Sequence, residues 1–183
     1  ALPVPIKLIQ QQSIGPSLGK ISLENSIIAG LIGFLAVVLF MMFYYRVPGI
    51  VAVGELLIYV LLTLGVFKLV PVTLTLAGIA GFILSVGMAV DANILVFERF
   101  KEELRAGQFL EKSLEDGFRR AWTAIRDSNI SSLITVFILG YFGTSLIRGF
   151  ALTLGLGILI SMFTALTITR TFLRLVYRFK KHV

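Results

Sequence analysis

The sequence contains no cysteine, so neither a disulfide framework nor a thiolate metal site is open to it. Its one histidine is His182, at the extreme C-terminus, which removes imidazole catalysis and histidine ligation from the body of the chain. Charge is scarce as well. Only 15% of the 183 residues are Asp, Glu, Lys or Arg, against about 25% in an average soluble domain. No nucleophile–base pair and no metal-ligand cluster stands out, so an enzyme is not expected and no catalytic residue, metal ligand or cofactor is assigned. An initiating Met and a signal peptide are also missing, and the chain is expected to be a fragment or processed piece of something longer.

What is abundant is apolar surface, at 57% of residues. It is gathered into five runs at 26–45, 49–67, 73–97, 129–142 (extendable backward through 122–128) and 150–168. About 20 residues at 1.5 Å each cross a ~30 Å hydrocarbon layer. Four runs reach that length, and the fourth in order does so only if its helix starts near Arg120. The expected fold class is an all-α membrane protein, a polytopic bundle of five transmembrane helices at about 26–45, 49–67, 73–98, 122–143 and 148–178. Residues 1–25 form an extracytoplasmic stub and linker, with one candidate strand at Ile6–Gln10 and turn chemistry at 15–19. The transmembrane domain then occupies 26–183.

The net charge of +7 could suggest nucleic acid, but its placement argues otherwise. With the N-terminus outside, the inner side holds Arg46, the cluster from Arg99 to Arg126 and the tail from Arg170 to Lys181. The outer side keeps only Lys7, Lys20, Lys68 and Arg148. The positive charge is a topology signal, giving N-out and C-in, and no nucleic-acid partner is expected. Within the long inner connection, Leu110, Leu114, Phe118 and Trp122 recur every four residues. That stripe predicts a cytoplasmic amphipathic helix at about 108–121, lying on the membrane surface or docking against a cytoplasmic partner.

One acid stands inside an apolar run, and the bundle is expected to be built around it as a buried aspartate. Asp91 lies some six residues inward of the middle of its segment, roughly 9 Å. Ionised there, it costs at least ~2.5–3.5 kcal/mol, so it must be neutral, paired or wet. Proton or cation handling is the sharp reading, and an interhelical hydrogen bond of about 0.6 kcal/mol that only joins helices is the bland one. Asn93 and Asp127 are candidate companions. Ala77, Gly81, Ser85, Ala89 and Asn93 form one small-residue ridge for close helix approach, and Gly87 leaves space beside the Asp91 carboxyl. Polar stripes at 127–135 and at Thr153, Gly157, Ser161, Thr164, Thr167 and Thr171 either bond their own backbone or line a wet path beside Asp91. Glu55 and Glu98 are expected near the inner interface, solvated. No Lys or Arg lies mid-segment, so any counter-ion for Asp91 comes from another subunit.

These motifs resemble a known family. The strings GIAG (78–81), GMAVDAN (87–93) and FERFKEE (97–103) look like the fourth transmembrane helix of the SecD half of the SecD/SecF family, in the RND superfamily. The likeness continues through GFRRA (117–121), DSN (127–129), YFGT (141–144), GFA (149–151) and SMFTA (161–165). Even SIGPSLG (13–19) is similar to the linker before the family's second helix. The resemblance implies an RND-type half whose first helix and most of whose extracytoplasmic domain are absent. It implies a bacterial plasma (inner) membrane location, a partner SecF supplying an aspartate and an arginine to complete a relay at Asp91, and association with the SecYEG channel and with YajC and YidC. The implied activity is proton-motive-force-driven (or sodium-driven) export of unfolded secretory polypeptide, with no cofactor. An RND-type exporter half for small lipophilic cargo, or a structural assembly factor of the translocon, are the alternatives. Glu55 departs from the family's more usual apolar residue.

Overall fold

The computed structural model describes residues 16–180. Among them every regular element is helical: α1 (Pro16–Tyr45), α2 (Val47–Leu69), α3 (Leu76–Arg105), α4 (Leu110–Phe142) and α5 (Ser145–Thr164). The last helix continues through a π-helical turn, Ala165–Thr169, into α6 (Arg170–Lys180). The candidate strand at Ile6–Gln10 and the rest of the stub to residue 15 lie outside the described residues. The first helix begins at Pro16, ten residues before its apolar run. A proline at the start of a helix forfeits only an N–H that has no intrahelical partner anyway, so the part of the turn string from Pro16 to Gly19 opens the helix instead of preceding it.

The connections explain the hairpins. α1 and α2 are separated by one residue, Arg46, at φ 51° and ψ −114°. This is a backbone conformation that side chains rarely adopt, and Pro48 follows in the first turn of α2. A Cβ on Gly49 would run into the Met41 carbonyl, so only glycine lets α2 fold back so tightly. Thr75 caps α3 by accepting from the Gly78 N–H at 3.1 Å, and Gly107, at φ 83°, ends the turn after it.

Among the described residues, four stretches are long and apolar enough to cross a membrane: Gly19–Tyr45, Val47–Leu69, Leu76–Arg105 and Ser145–Tyr177. The protein is a multi-pass membrane protein. α1 shows what lipid as a solvent permits. Ile28, Leu31, Leu35 and Leu39 are all more than half exposed, which in water would be prohibitive and in hydrocarbon is neutral. α4 is not among the four, because its uncharged part starts only at Ser128, leaving about 22 Å of helix.

The segment expected at 108–121 as an amphipathic helix is helical from Leu110, but it is not a separate element. That segment is the first half of α4, continuous with the apolar half. The middle of its stripe meets protein: Leu114 and Phe118 are buried in one cluster with Ala121 and Ile125 and with Phe97 and Phe100 of α3, Trp122 is half-buried and Leu110 stays exposed. Gly117 permits this, since a Cβ there would lie 2.9 Å from the Phe100 backbone. Because α3 itself extends to Arg105, it offers an apolar wall that an isolated surface helix would lack. A charged layer seals this end. Glu103 accepts from Arg120 and from Gln108, and Glu115 lies 3.6 Å from Arg170 and 3.9 Å from Arg174. The Glu103 hydrogen bond, and then its charge, hold the Arg120 guanidinium above its ordinary range.

The small-residue ridge of α3 packs on α5. A Cβ on Gly81 would lie 2.7 Å from the Phe150 carbonyl oxygen, and one on Gly157 would overlap Ser85. Ala89 is 1% exposed on the same seam. Thr153 donates to the Gly78 carbonyl at 2.8 Å across it, tying the two backbones together.

Candidate functional site

Asp91 lies on the outward side of α3, exposed by its own chain. It opens onto a shallow groove of about 190 Å³ between α3 and α4, lined also by Met88, Leu95, Ala124, Ile125, Ser128 and Asn129. The expectation that this bundle buries the carboxyl is therefore corrected: the helix carrying Asp91 turns its small-residue ridge inward to α5, which leaves the aspartate on the opposite wall. Among the described residues no ion pair includes it. Gly87, one turn earlier, has nothing within 4 Å of where a Cβ would be. Among the described residues, the face around the carboxyl is thus open and holds no paired cation.

The other expected residues separate into two groups. Ser128 and Asn129 of the α4 stripe do meet Asp91 in the groove. Asn129 is buried and donates to the Ile125 carbonyl at 2.8 Å. Asp127 does not join them; it is exposed and paired with its neighbour Arg126 at 3.0 Å. Gly81 and Ala89 act in the α3–α5 seam, away from the groove. Asn93, two residues after Asp91, points the other way into the bundle and is 0% exposed.

There Asn93 meets a residue whose placement the sequence reading missed. Glu55, expected at a solvated interface, is 0% exposed. Its Oε2 accepts from Asn93 Nδ2 at 2.7 Å. Asn93 Oδ1 in turn accepts from the Thr169 hydroxyl at 2.8 Å. One signal could have found it: Glu55, Tyr59 and Thr63 are spaced by four, so they form a polar stripe on α2, and all three are 0% exposed. Tyr59 donates to Ser85 of α3 at 2.7 Å.

The polar stripe of α5 belongs to this interior and not to the Asp91 groove. Thr153, Ser161 and Thr164 are buried, and each donates to a backbone carbonyl of its own helix or of α3. Thr171 likewise donates to Thr167 at 2.6 Å. A wet path beside Asp91 made by α5 is ruled out by this orientation. Among the described residues no three His, Asp or Glu side chains converge on a metal-sized site.

Residues 3–178 match the family described as protein export membrane protein SecD/SecF, C-terminal. The chain is 56% identical over 180 residues to the protein translocase subunit SecD of Thermobaculum terrenum, covering 96% of this chain and 35% of that protein. It is 54% identical to the SecD subunit of Synechocystis sp., covering 94% of this chain and 37% of that one. The chain thus spans about a third of the length of the curated relatives it matches. Its fold superimposes on the crystal structure of SecDF, a translocon-associated membrane protein from Thermus thermophilus, with a TM-score of 0.87 and 42% identity, over 91% of this chain and 23% of that one. A second SecDF structure, in a super-membrane-facing form, gives 0.84 and 43% over 97% of this chain. The bundle with its outward-facing aspartate belongs to the SecD/SecF family of protein-export membrane proteins.

Proposed function

We propose that this chain is the membrane domain of a SecD-type subunit of the bacterial protein-export machinery, in which Asp91 takes up and releases the coupling ion. The observation that carries the reading is an aspartate on a membrane-spanning helix that no described residue of its own chain pairs or covers. An ionised carboxyl facing hydrocarbon costs at least ~2.5–3.5 kcal/mol. A second subunit presenting a cation at the α3–α4 groove would remove that penalty, and SecF, with its aspartate and arginine, is the expected partner. Ser128 and Asn129 supply hydroxyl and amide groups on the groove's other wall, able to hold a water beside the carboxyl. Protonation of Asp91 would then favour one packing of the two subunits and ionisation another, and each state's stability would depend on the gradient. At ~2.3 kcal/mol per charge per 100 mV, one or two ions per cycle suffice for a change of a few kcal/mol.

The work delivered would be the late-stage export of unfolded secretory polypeptide through SecYEG, with YajC and YidC as further associates and no enzymatic chemistry. The expected setting is the bacterial inner membrane, with the N-terminal side of this segment outside and the C-terminal side in the cytoplasm. The Lys and Arg bias supports that orientation. The test is Asp91→Asn in the full-length subunit with its partner. Assembly should be retained while gradient-stimulated export falls to the unstimulated level. Stimulation that survives the substitution refutes the relay, and lost assembly with normal per-complex activity points to an aspartate that only joins helices.

A further inference from the structure

We infer that Glu55 is a second, exchangeable proton-binding carboxyl of this membrane domain, held as the neutral acid inside a closed polar cluster joining α2, α3 and the last helix. This goes beyond the export reading and does not depend on it.

The cluster fixes its own hydrogen-bond polarity. Thr169 donates to Asn93 Oδ1 at 2.8 Å, so the amide oxygen faces the last helix and the amide nitrogen faces Glu55, where it donates to Oε2 at 2.7 Å. The second carboxyl oxygen, Oε1, is buried and has no partner. Thr164 and Tyr59 also lie beside the carboxyl. The groups beside it are therefore Tyr59 along its own helix, Asn93 from α3 and Thr164 from the last helix, with Thr169 behind Asn93. Tyr59 is the one titratable group among them, and none carries positive charge. On α3, Arg99 and Lys101 pair with Glu102 and Glu98, and on α6, Arg170 and Arg174 lie 3.6 Å and 3.9 Å from Glu115.

A carboxylate in this position would be a buried anion with only uncharged groups, the Asn93 amide and the Thr164 hydroxyl, beside it and no cation, and the penalty for a bare buried ion is several kcal/mol. The neutral acid fits better. Its proton sits on Oε1, the one atom left without a partner, and can be donated to the neighbouring Thr164 oxygen, whose own hydroxyl donates to the Ser161 carbonyl at 3.2 Å. Every polar atom then has a use. Ionisation releases H⁺ and leaves Oε1 charged and undonated, so the gain or loss of this proton acts directly on the contacts of Asn93 and Thr169.

The local backbone suits such a role. Thr169 ends the π-helical turn Ala165–Thr169, a wider winding that recurs at functional sites, and it reaches Asn93 from there. Asn93 stands two residues beyond Asp91, about 3 Å along the axis. Two acids thus flank the same turn of α3, one on the open groove and one in the interior.

The experiment is infrared spectroscopy of the full-length subunit with its partner in lipid at pH 7. The expected result is a protonated-carboxyl C=O band that moves on ¹³C-carboxyl labelling of glutamate and shifts downward in D2O. The same band is absent in Glu55→Gln and retained in Asp91→Asn. If the labelled, unsubstituted protein has no such band, or the band survives in a folded Glu55→Gln, Glu55 is not the neutral acid. If the band does not shift in D2O, the site does not exchange its proton. The labelling arm stands even where Glu55→Gln does not fold. Failure of the band leaves the Asp91 export result untouched, and failure of the latter leaves the band untouched.

Discussion

Replacing Gly157 by alanine should destabilise the bundle, whereas the same change at Gly33 should stabilise it. Both glycines lie inside helices, α5 and α1, where alanine is favoured over glycine by about 1 kcal/mol from backbone entropy. Space decides the outcome. At Gly33 a Cβ meets nothing within 4 Å, so the propensity gain of about 1 kcal/mol is kept. At Gly157 the new methyl overlaps Ser85 Cβ, an atom anchored directly to the α3 backbone, and lies 2.9 Å from the Tyr59 hydroxyl. Neither can rotate away without breaking the 2.7 Å Tyr59–Ser85 hydrogen bond. Overpacking costs about 1–3 kcal/mol, and loss of a buried hydrogen bond adds about 1, so the net change after the propensity gain is a loss of about 2 kcal/mol. The two variants should then differ by about 3 kcal/mol, roughly a hundredfold in the folding equilibrium. Reversible denaturation of the full-length complex by titrating SDS into mild-detergent micelles would measure it. Adding Ser85→Gly to the Gly157→Ala variant should recover part of the loss, giving a favourable coupling term. If the Gly157 variant is as stable as the Gly33 variant, the close approach of α3 and α5 is not what holds this seam.

Two further outcomes follow from the ends of the helices. Arg46→Gly should stabilise the α1–α2 hairpin by about 1 kcal/mol, since relief of a strained φ of 1–3 kcal/mol outweighs the extra chain entropy of glycine, about 0.5–1; the same denaturation midpoint reads it, and a lowered midpoint would mean that Arg46 is not strained. Arg120→Ala should lower the midpoint by leaving Glu103, 7% exposed, with Gln108 as its remaining donor. Because Glu103 holds the guanidinium above its ordinary range, the pair's contribution is fully present at neutral pH and is lost only as pH rises beyond the arginine range. The difference between Arg120→Ala and the unsubstituted protein should therefore be constant from about pH 7 to 10, and a difference that fades across that window would refute the pairing.

The helices were legible because lipid imposes a length and an apolarity that few other environments demand. Asp91 was legible for the same reason: one acid in an apolar run is conspicuous in one dimension. Which wall of α3 it occupies was not, because that depends on which side the ridge Gly81–Ser85–Ala89 presents to α5, and both walls of the helix are apolar. Glu55 failed for a related reason. Its depth was judged from its distance to a helix end, whereas its burial comes from Asn93 and Thr169, which lie 38 and 114 positions further along the chain. The stripe at 110–122 was correctly periodic, but period alone does not say whether an apolar face meets lipid or a neighbouring helix. Only the extension of α3 to Arg105 decides that.

The unbroken course of α4 has a mechanical consequence. Its 33 residues make a rod about 50 Å long, and Ser128 and Asn129, opposite Asp91, sit close to its midpoint. A tilt of a few degrees about that fulcrum would barely alter the groove, yet would swing both tips by an ångström or more in opposite directions. One tip carries the Glu103–Arg120 and Glu115–Arg170 pairs, and the other ends at the Gly143 turn. A small displacement beside a single carboxyl is thereby available at both ends of the helix at once, without any need for the helix to bend.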